Sequence, residues 1–152
     1  MGFRRGVRLG VDVGTVRIGV ARCDPDGILA TPLPNVPRGP GDVAALVAAA
    51  AEYDAMEIVV GLPLTMAGDA GPAVTAVTEF ATTLAAASPV PVRLVDERLS
   101  TAAAQRTLFE AGRDTRSSRS RIDGAAATLI VQSALDFEKS TGTPAGRTVE
   151  IR

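Results

Sequence analysis

The stretch that most constrains this chain is residues 9–21, Leu-Gly-Val-Asp-Val-Gly-Thr-Val-Arg-Ile-Gly-Val-Ala. Two apolar runs on either side of Gly14-Thr15 predict two strands joined by a tight turn. One carboxylate, Asp12, stands inside the first apolar run. A charge that is buried without a partner costs several kcal/mol or shifts its pKa. Asp12 therefore needs a cation, and both Arg17 and a bound metal ion are candidates.

Length and composition predict one ordinary domain. The chain has 152 residues, of which 46% are hydrophobic, which is enough for a sizeable core. Neither a membrane span nor a secretory signal is recognisable, so no membrane association is expected. A single cysteine, Cys23, excludes an intrachain disulfide and fits a cytoplasmic protein. Its place beside a strand favours a core thiol over a catalytic one.

The chain contains no histidine. This excludes Ser-His-Asp and Cys-His nucleophile systems and zinc sites that use imidazole ligands. With one cysteine and no histidine, the ligands of a bound metal must be oxygen atoms. Oxygen ligands select hard cations, so we expect Mg²⁺ or Mn²⁺.

Charge is unevenly distributed along the chain. Residues 1–38 have a net charge of +3 and residues 93–152 of +2, whereas residues 39–92 contain six acids and neither lysine nor arginine. Six arginines fall within residues 98–121. Such a segment is suited to phosphate groups, although a solvated surface would explain it equally well.

Periodicity predicts the element order β-β-β-α-β-α-β-α-α. The strands are expected at residues 7–13, 16–23, 28–36, 57–61 and 90–95, and the helices at residues 43–53, 72–87, 100–111 and 122–137. Asp42 is the expected N-cap of the first helix. Residues 113–120 contain no apolar side chain and are predicted to form a mobile loop.

This order predicts an α/β fold with a mixed five-stranded sheet, three antiparallel strands followed by parallel ones, and helices on both faces. The single domain is expected at residues 1–138. Residues 139–152 are expected to be a flexible tail, although residues 149–151 could add an edge strand. In open sheets of this kind, sites form beyond the carboxyl ends of the strands.

Three carboxylates stand at positions that could converge. Asp12 is in the first strand, Glu97 just past the last predicted strand, and Asp123 in the first turn of the last helix. They would meet if the first and fifth strands were neighbours, and divalent ions would then offset their repulsion. Each also has an ordinary explanation: an ion pair for Asp12, solvation of a strand end for Glu97, and a favourable helix-dipole position for Asp123.

Five segments together resemble the YqgF family, also called RuvX. They are residues 9–21, Val-Val-Gly-Leu-Pro-Leu at 59–64, Gly-Asp-Ala-Gly at 68–71, Asp-Glu-Arg-Leu-Ser-Thr-Ala at 96–102 and Ile-Asp-Gly-Ala-Ala-Ala at 122–127. The resemblance covers residues 7–138, with the motifs in matching order. The block that begins at Asp96 is the most specific of them.

The resemblance implies an RNase H-like fold related to the Holliday junction resolvase RuvC, and a metal-dependent nuclease of structured nucleic acid. It implies Asp12, Glu97 and Asp123 as catalytic metal ligands, with Asp96 as the alternative to Glu97. The family is associated with 5′-end maturation of pre-16S ribosomal RNA and has also been proposed to resolve Holliday junctions. RuvC-type resolvases carry a carboxylate where this chain has Gly61, and Glu97 must then substitute.

Nucleic acid, either precursor rRNA or branched DNA, is therefore the expected partner. The candidate contacts to it are Thr15, Arg17, Thr65, Arg98, Arg113, Arg116, Arg119 and Arg121. Junction resolution needs two cuts and thus a homodimer, whereas end maturation needs one active site. Two other functions compete with the nuclease. One is an ATPase of the actin and sugar-kinase type, which needs two such lobes, and the other is a non-catalytic nucleic-acid-binding module.

Overall fold

A computed structural model describes residues 3–63, 71–96 and 115–150, with the side chains of the last range described from residue 124 onward. Apart from one additional strand near the end of the chain, the elements within these ranges follow the order that the sequence predicts. They are β1 (Val7–Val13), β2 (Arg17–Cys23), β3 (Ala30–Pro37), α1 (Asp42–Glu52), β4 (Ala55–Leu62), α2 (Pro72–Ala87), β5 (Val92–Asp96), α3 (Thr115–Thr141) and β6 (Arg147–Thr148).

The described strands form one mixed sheet in the order β3-β2-β1-β4-β5-β6. Strands β1, β2 and β3 are antiparallel neighbours, and β4 and β5 run parallel to β1. The predicted α/β class and strand directions are thus confirmed. The predicted count of five strands is wrong, because the two-residue β6 pairs antiparallel with β5. A strand of two residues is too short to show a periodic pattern in the sequence. It is recognised only by its pairing with β5.

The first and fifth strands are not neighbours, so this condition for the convergence of the three carboxylates is not met. Strand β4 lies between β1 and β5, with Val60 in register with both Val11 and Leu94. The sheet therefore separates Asp12 from the end of β5 by two strand spacings, about 10 Å.

The two faces of the sheet carry different layers. Leu9 and Val11 of β1 pack into the larger core, together with buried residues of α1 and α2 such as Leu46 and Leu84. The alternate positions of β1 face the other way. There α3 packs on the sheet through Ile130 and Val131, which are fully buried.

The bounds of α2 match the prediction, while those of α1 differ at its start. Gly41 is the N-cap of α1, with a φ of 92°, and Asp42 is the first helical residue rather than the cap. The Asp42 carboxylate accepts hydrogen bonds from the backbone N–H groups of Gly39 and Val43. It therefore links the preceding loop to the second N–H of the helix from inside the first turn.

Helix α3 is longer than predicted. The structure places residues 115–120 in this helix, so the mobile loop expected there is wrong for those residues. Arginine and serine are compatible with helices, and the absence of apolar side chains only means that this part of a helix has no face for a core. The helix predicted at residues 100–111 lies outside the described residues. None of the helices that the structure describes is both long enough and apolar enough to cross a membrane.

The chain after residue 138 contributes to the packed structure. Helix α3 continues to Thr141, and Ala145 and Val149 are buried. The backbone N–H of Val149 donates to the carbonyl oxygen of Val92 at 2.8 Å. This part of the predicted tail therefore packs against β5.

Candidate active site

Helix α3 and strand β1 touch at Gly10. A Cβ atom at this position would overlap Cγ2 of Val131 and lie 2.9 Å from the carbonyl oxygen of Ala127. Glycine is thus required for this close approach. Further along α3, Glu138 contacts Arg8 at the start of β1. The helix therefore runs antiparallel to β1, and its N-terminal part lies over the carboxyl end of the strand.

Asp12 lies at that end, on the face that α3 covers. It is in register with Gly19 of β2 and is half-buried. Side chains alternate along a strand, so Arg8, Gly10 and Asp12 share one face. The predicted placement of Asp12 inside the first strand is confirmed, and the residue takes part in an interaction within the fold.

The turn that follows Asp12 is tight and its tip is open to solvent. The N–H of Gly14 donates to the carbonyl oxygen of Arg17 at 3.0 Å. A Cβ atom on Gly14 would lie 2.5 Å from that same oxygen. Thr15 is exposed, and Val16 is 67% exposed. A bulky ligand can thus reach the turn beside Asp12.

Residue 123 belongs to the part of α3 that overlies Asp12. It lies one helical turn before Ala127, which touches Gly10, while Asp12 lies two residues beyond Gly10 along β1. One turn of helix advances 5.4 Å and two strand residues about 6.6 Å. The backbone of residue 123 is therefore close to level with Asp12. The side chain of Asp123 lies outside the described part of the structure.

The two candidates at the end of β5 differ in position. Asp96 is the last residue of β5 and is in register with Leu62, a member of the core under α1 and α2. Alternation thus assigns Asp96 to the face opposite Asp12. Gly61, one residue beyond the Val11–Val60 pair, is level with Asp12 and adds no side chain between β1 and β5. Glu97 lies outside the described residues.

The donor chemistry of this region fits a hard cation. The one cysteine, Cys23, is buried, and burial raises the pKa of its thiol, which makes it a poor metal ligand. Carboxylates remain as the charged ligands, and they suit Mg²⁺ and Mn²⁺. Within the described residues, no group of three Asp, Glu, Cys or His side chains stands close enough together to hold a metal ion. Two of the three predicted ligands lie beyond that description.

The predicted nucleic-acid contacts fall into three groups. Thr15 and Arg17 flank the turn beside Asp12, where Arg17 is half-buried and takes part in an interaction within the fold. The structure places three of the predicted contacts in the first two turns of α3, and their side chains are not described: Arg116, Arg119 and Arg121. The remaining contacts lie outside the described residues: Thr65, Arg98 and Arg113.

Arg38 also supports the turn beside Asp12, and the sequence analysis did not identify it. Its Nη1 donates to the carbonyl oxygen of Gly14 at 2.8 Å, and its Nε lies 3.4 Å from Oδ2 of Asp42. The guanidinium also stacks 5.2 Å from the centre of the Phe80 ring. Arg38 thus ties the turn beside Asp12 to α1 and α2. No local pattern indicates this, since Gly14 and Arg38 are 24 residues apart.

Comparison with known proteins shows the family to which this chain is related. The family model RuvX, described as Holliday junction resolvase, matches residues 6–137. A protein of Nocardioides sp. JS614 is 51% identical, over 97% of this chain and 99% of its own length. One of Thermobifida fusca is 50% identical, over 97% and 98%. Both are provisionally named pre-16S rRNA nuclease.

Solved structures share the fold at low sequence identity. Thermus thermophilus RuvC in complex with a Holliday junction substrate superposes with a TM-score of 0.60 at 16% identity, covering 93% of this chain and 99% of RuvC. A second structure of that RuvC gives a TM-score of 0.59. The sheet and its helices are thus those of an RNase H-like fold, as the sequence predicts. With a family model that spans most of its length and relatives at half identity, the chain belongs to the RuvX family.

Proposed function

We propose that this protein is a metal-dependent endonuclease that hydrolyses phosphodiester bonds of structured nucleic acid, and that it acts in 5′-end processing of pre-16S rRNA. Membership of the RuvX family and the nuclease name of its relatives support the enzyme class. The observation that carries the proposal is the placement of α3. Its close approach to Gly10 brings residue 123 level with Asp12 at the carboxyl end of β1.

In the proposed site, Asp12, Glu97 and Asp123 would hold Mg²⁺ or Mn²⁺. Asp96 is the weaker alternative to Glu97, because alternation assigns it to the other face of the sheet. When bound, such an ion stabilises negative charge on the scissile phosphate and lowers the pKa of a bound water. Without histidine in the chain, no imidazole is available as a general base. The carboxylates would hold the ion and orient the attacking water.

The arginines around the site would position the nucleic-acid backbone. Arg17 flanks the turn beside Asp12, and the arginines of the early turns of α3 precede residue 123. Contacts of this type bind phosphates and do not read bases. The chain has only five Phe and Tyr residues and no Trp, so base stacking contributes little. Recognition by shape and backbone suits a folded RNA.

The opposite layer would repel nucleic acid. Helices α1 and α2 carry three acids, Asp42, Glu52 and Glu79, and no basic residue. Polyanions are attracted to basic surfaces and repelled by acidic ones. The substrate is therefore expected on the side of α3 and the β1–β2 turn.

Resolution of four-way DNA junctions is the second candidate function. The description of the matching family and the fold shared with RuvC favour it. A resolvase makes two coordinated cuts and needs two active sites, so this function requires a dimer on the substrate. Sedimentation of the protein with a four-way junction and with a pre-16S rRNA fragment separates the two functions. A protein that binds only as a monomer would contradict the resolvase function.

The central test replaces Asp12 with Asn, which removes the charge and preserves the size. We expect Asp12→Asn to lower the cleavage rate of pre-16S rRNA in Mg²⁺ by at least about 100-fold, because several kcal/mol of metal-assisted stabilisation is lost. Substrate binding and folding should be retained. Asp26→Asn is the matched control, since Asp26 is exposed in the β2–β3 turn and pairs with Arg5.

Two outcomes would contradict the proposal. Full activity of Asp12→Asn would remove Asp12 from the chemistry. Tight binding of RNA or of a junction without any cleavage in Mg²⁺ or Mn²⁺ would favour the non-catalytic binding module instead.

A further inference from the structure

A buried cluster of charged side chains joins α3 to the sheet at the end opposite the proposed site. We name it the Glu138 cluster, and its members are Arg4, Arg8, Glu57, Arg93 and Glu138. Three of these are almost completely buried: Arg8 is 2% exposed, and Glu57 and Glu138 are each 3% exposed. The proposed catalytic residues are not among them.

Glu138 is the acceptor on which the cluster converges. Nη2 of Arg8 lies 3.1 Å from both of its carboxylate oxygens. Arg4 donates to the same carboxylate from its backbone N–H at 2.8 Å, from Nε at 3.0 Å and from Nη2 at 2.8 Å. Five charge-assisted hydrogen bonds thus fix the position of one side chain near the C-terminal end of α3.

Such a cluster is better explained by positional accuracy than by stability. Burying charges is expensive, and apolar side chains of similar volume often stabilise a core as well or better. Hydrogen bonds between guanidinium and carboxylate groups are directional, however, and tolerate little displacement. The cluster therefore fixes the position of α3 along the direction of β1.

Strand β1 and helix α3 each carry residues of both the Glu138 cluster and the proposed site. Arg8 and Asp12 lie on one face of β1, with Gly10 between them. Residues 123, 127, 131 and 138 follow one face of α3, because their spacings are close to whole turns. Glu138 and residue 123 are 15 residues apart in this helix, about 22 Å along its axis. A shift of α3 at Glu138 would therefore move residue 123 relative to Asp12.

We propose that Glu138 is a positioning residue: by anchoring α3 to Arg8, it sets the separation between Asp12 and Asp123 and thereby the affinity of the site for its divalent ion. This inference rests on the proposed function, because it assumes that both aspartates are ligands. Glu138 itself has no contact with the metal or the substrate.

The test shortens the anchor without removing its charge. In Glu138→Asp the carboxylate is one methylene closer to the helix backbone, so it reaches Arg8 only if α3 moves. We expect the dissociation constant for Mn²⁺, measured by calorimetric titration of the protein without nucleic acid, to rise about tenfold, because a shift of α3 displaces one ligand relative to the other. The half-saturating Mg²⁺ concentration for cleavage should rise in parallel.

A control must separate positioning from a general loss of stability. Leu84→Ala serves this purpose, because Leu84 is fully buried on α2 in the core on the other face of the sheet. It should lower the denaturation midpoint without changing the Mn²⁺ dissociation constant. All titrations are made at a temperature at which the variants are folded.

A second variant keeps the test decisive if Glu138→Asp does not fold. Arg4→Met removes two of the five hydrogen bonds to Glu138, those from Nε and Nη2 of Arg4, and leaves the bond from the backbone N–H of residue 4 and the two from Arg8. The Arg4 side chain is 38% exposed, so its loss is tolerated better. A smaller increase of the Mn²⁺ dissociation constant in the same direction is expected.

The outcomes distinguish a failure of the positioning role of Glu138 from a failure of the proposed function. If the folded Glu138 and Arg4 variants bind Mn²⁺ as the unchanged protein does, the positioning role is wrong. An equal loss of affinity in Leu84→Ala would also contradict it. If the unchanged protein neither binds Mn²⁺ nor cleaves nucleic acid, the proposed function itself fails.

Discussion

The ionisation of Glu138 depends strongly on its surroundings. Burial by itself would raise the pKa of this carboxyl group, but hydrogen bonds from the Arg4 side chain and backbone, together with the charge of Arg8, lower it to about 2 from an ordinary value of 4.5. The same pairing raises the pKa of Arg4. The group is thus ionised in the folded protein at every physiological pH.

A dependence of stability on pH follows from this shift. In the unfolded chain the carboxyl group binds a proton at a higher pH than in the folded protein, so acid favours unfolding. The contribution of Glu138 is complete above about pH 4.5 and is lost as the pH falls through about 2. It amounts to as much as about 3 kcal/mol.

Urea unfolding between pH 6 and pH 2 measures this contribution. We expect the free energy of unfolding of the unchanged protein to fall more steeply with acid than that of Glu138→Gln, which cannot titrate at this position. Asp26→Asn, which removes an exposed carboxylate, should retain the steep dependence. Equal slopes in Glu138→Gln and the unchanged protein would show that Glu138 is not the group responsible.

At the scale of elements, the contact between α3 and β1 determines whether the site can form. Gly10→Ala inserts a methyl group between Cγ2 of Val131 and the carbonyl oxygen of Ala127. We expect it to lower the free energy of unfolding by about 1–3 kcal/mol, as overpacking does. It should also lower cleavage activity further than stability accounts for, because α3 must move away from β1.

A double-mutant cycle checks the cause of this effect. Val131→Ala removes the methyl group that a Cβ atom at position 10 would overlap. The double variant Gly10→Ala/Val131→Ala should therefore be less destabilised than the sum of the single variants, with an interaction energy of at least about 0.5 kcal/mol. Strict additivity in denaturant unfolding would mean that the two side chains do not meet.

Strand β4 contributes to the proposed site through its position in the sheet, because it supplies none of the proposed ligands. It occupies the centre of the sheet, between β1 and β5, and residues 58–62 are buried. Its Gly61 is level with Asp12 and adds no side chain between β1 and β5. The strand thus sets the distance between β1 and the end of β5.

At the scale of the whole molecule, charge is divided between the two layers. The α1/α2 layer belongs to an acidic segment, whereas arginines gather before residue 123 and around the β1–β2 turn. Replacing Arg113, Arg116 and Arg119 with Ala should weaken RNA binding. It should also reduce the slope of log affinity against log salt by up to about 3, one for each lost phosphate contact.

Fluorescence anisotropy of a labelled RNA over a range of salt concentrations measures that slope. Arg5→Ala is the control, because Arg5 is exposed and pairs with Asp26 in the β2–β3 turn. It should leave the slope unchanged. If the triple variant keeps the slope of the unchanged protein, its three arginines lie outside the nucleic-acid interface.

Much of the fold and the identity of the candidate residues can be predicted from the sequence. Strand periodicity, proline and glycine positions and the helical spacing of alanine and valine define β1, β2, β4 and α2, because these signals are local. The absence of histidine and the single cysteine restrict metal ligands to oxygen, and the five motifs together, above all the block that begins at Asp96, indicate the family. These conclusions need no knowledge of which segments meet.

Tertiary structure alone decided how the elements are arranged. The insertion of β4 between β1 and β5, the opposite faces of Asp12 and Asp96, the extra strand β6 and the Arg38–Gly14 contact all join residues that are distant in sequence. The Glu138 cluster is the clearest case, since Arg8 and Glu138 are 130 residues apart. Such pairs are selected by the summed packing of the whole fold, and a local pattern carries no record of them.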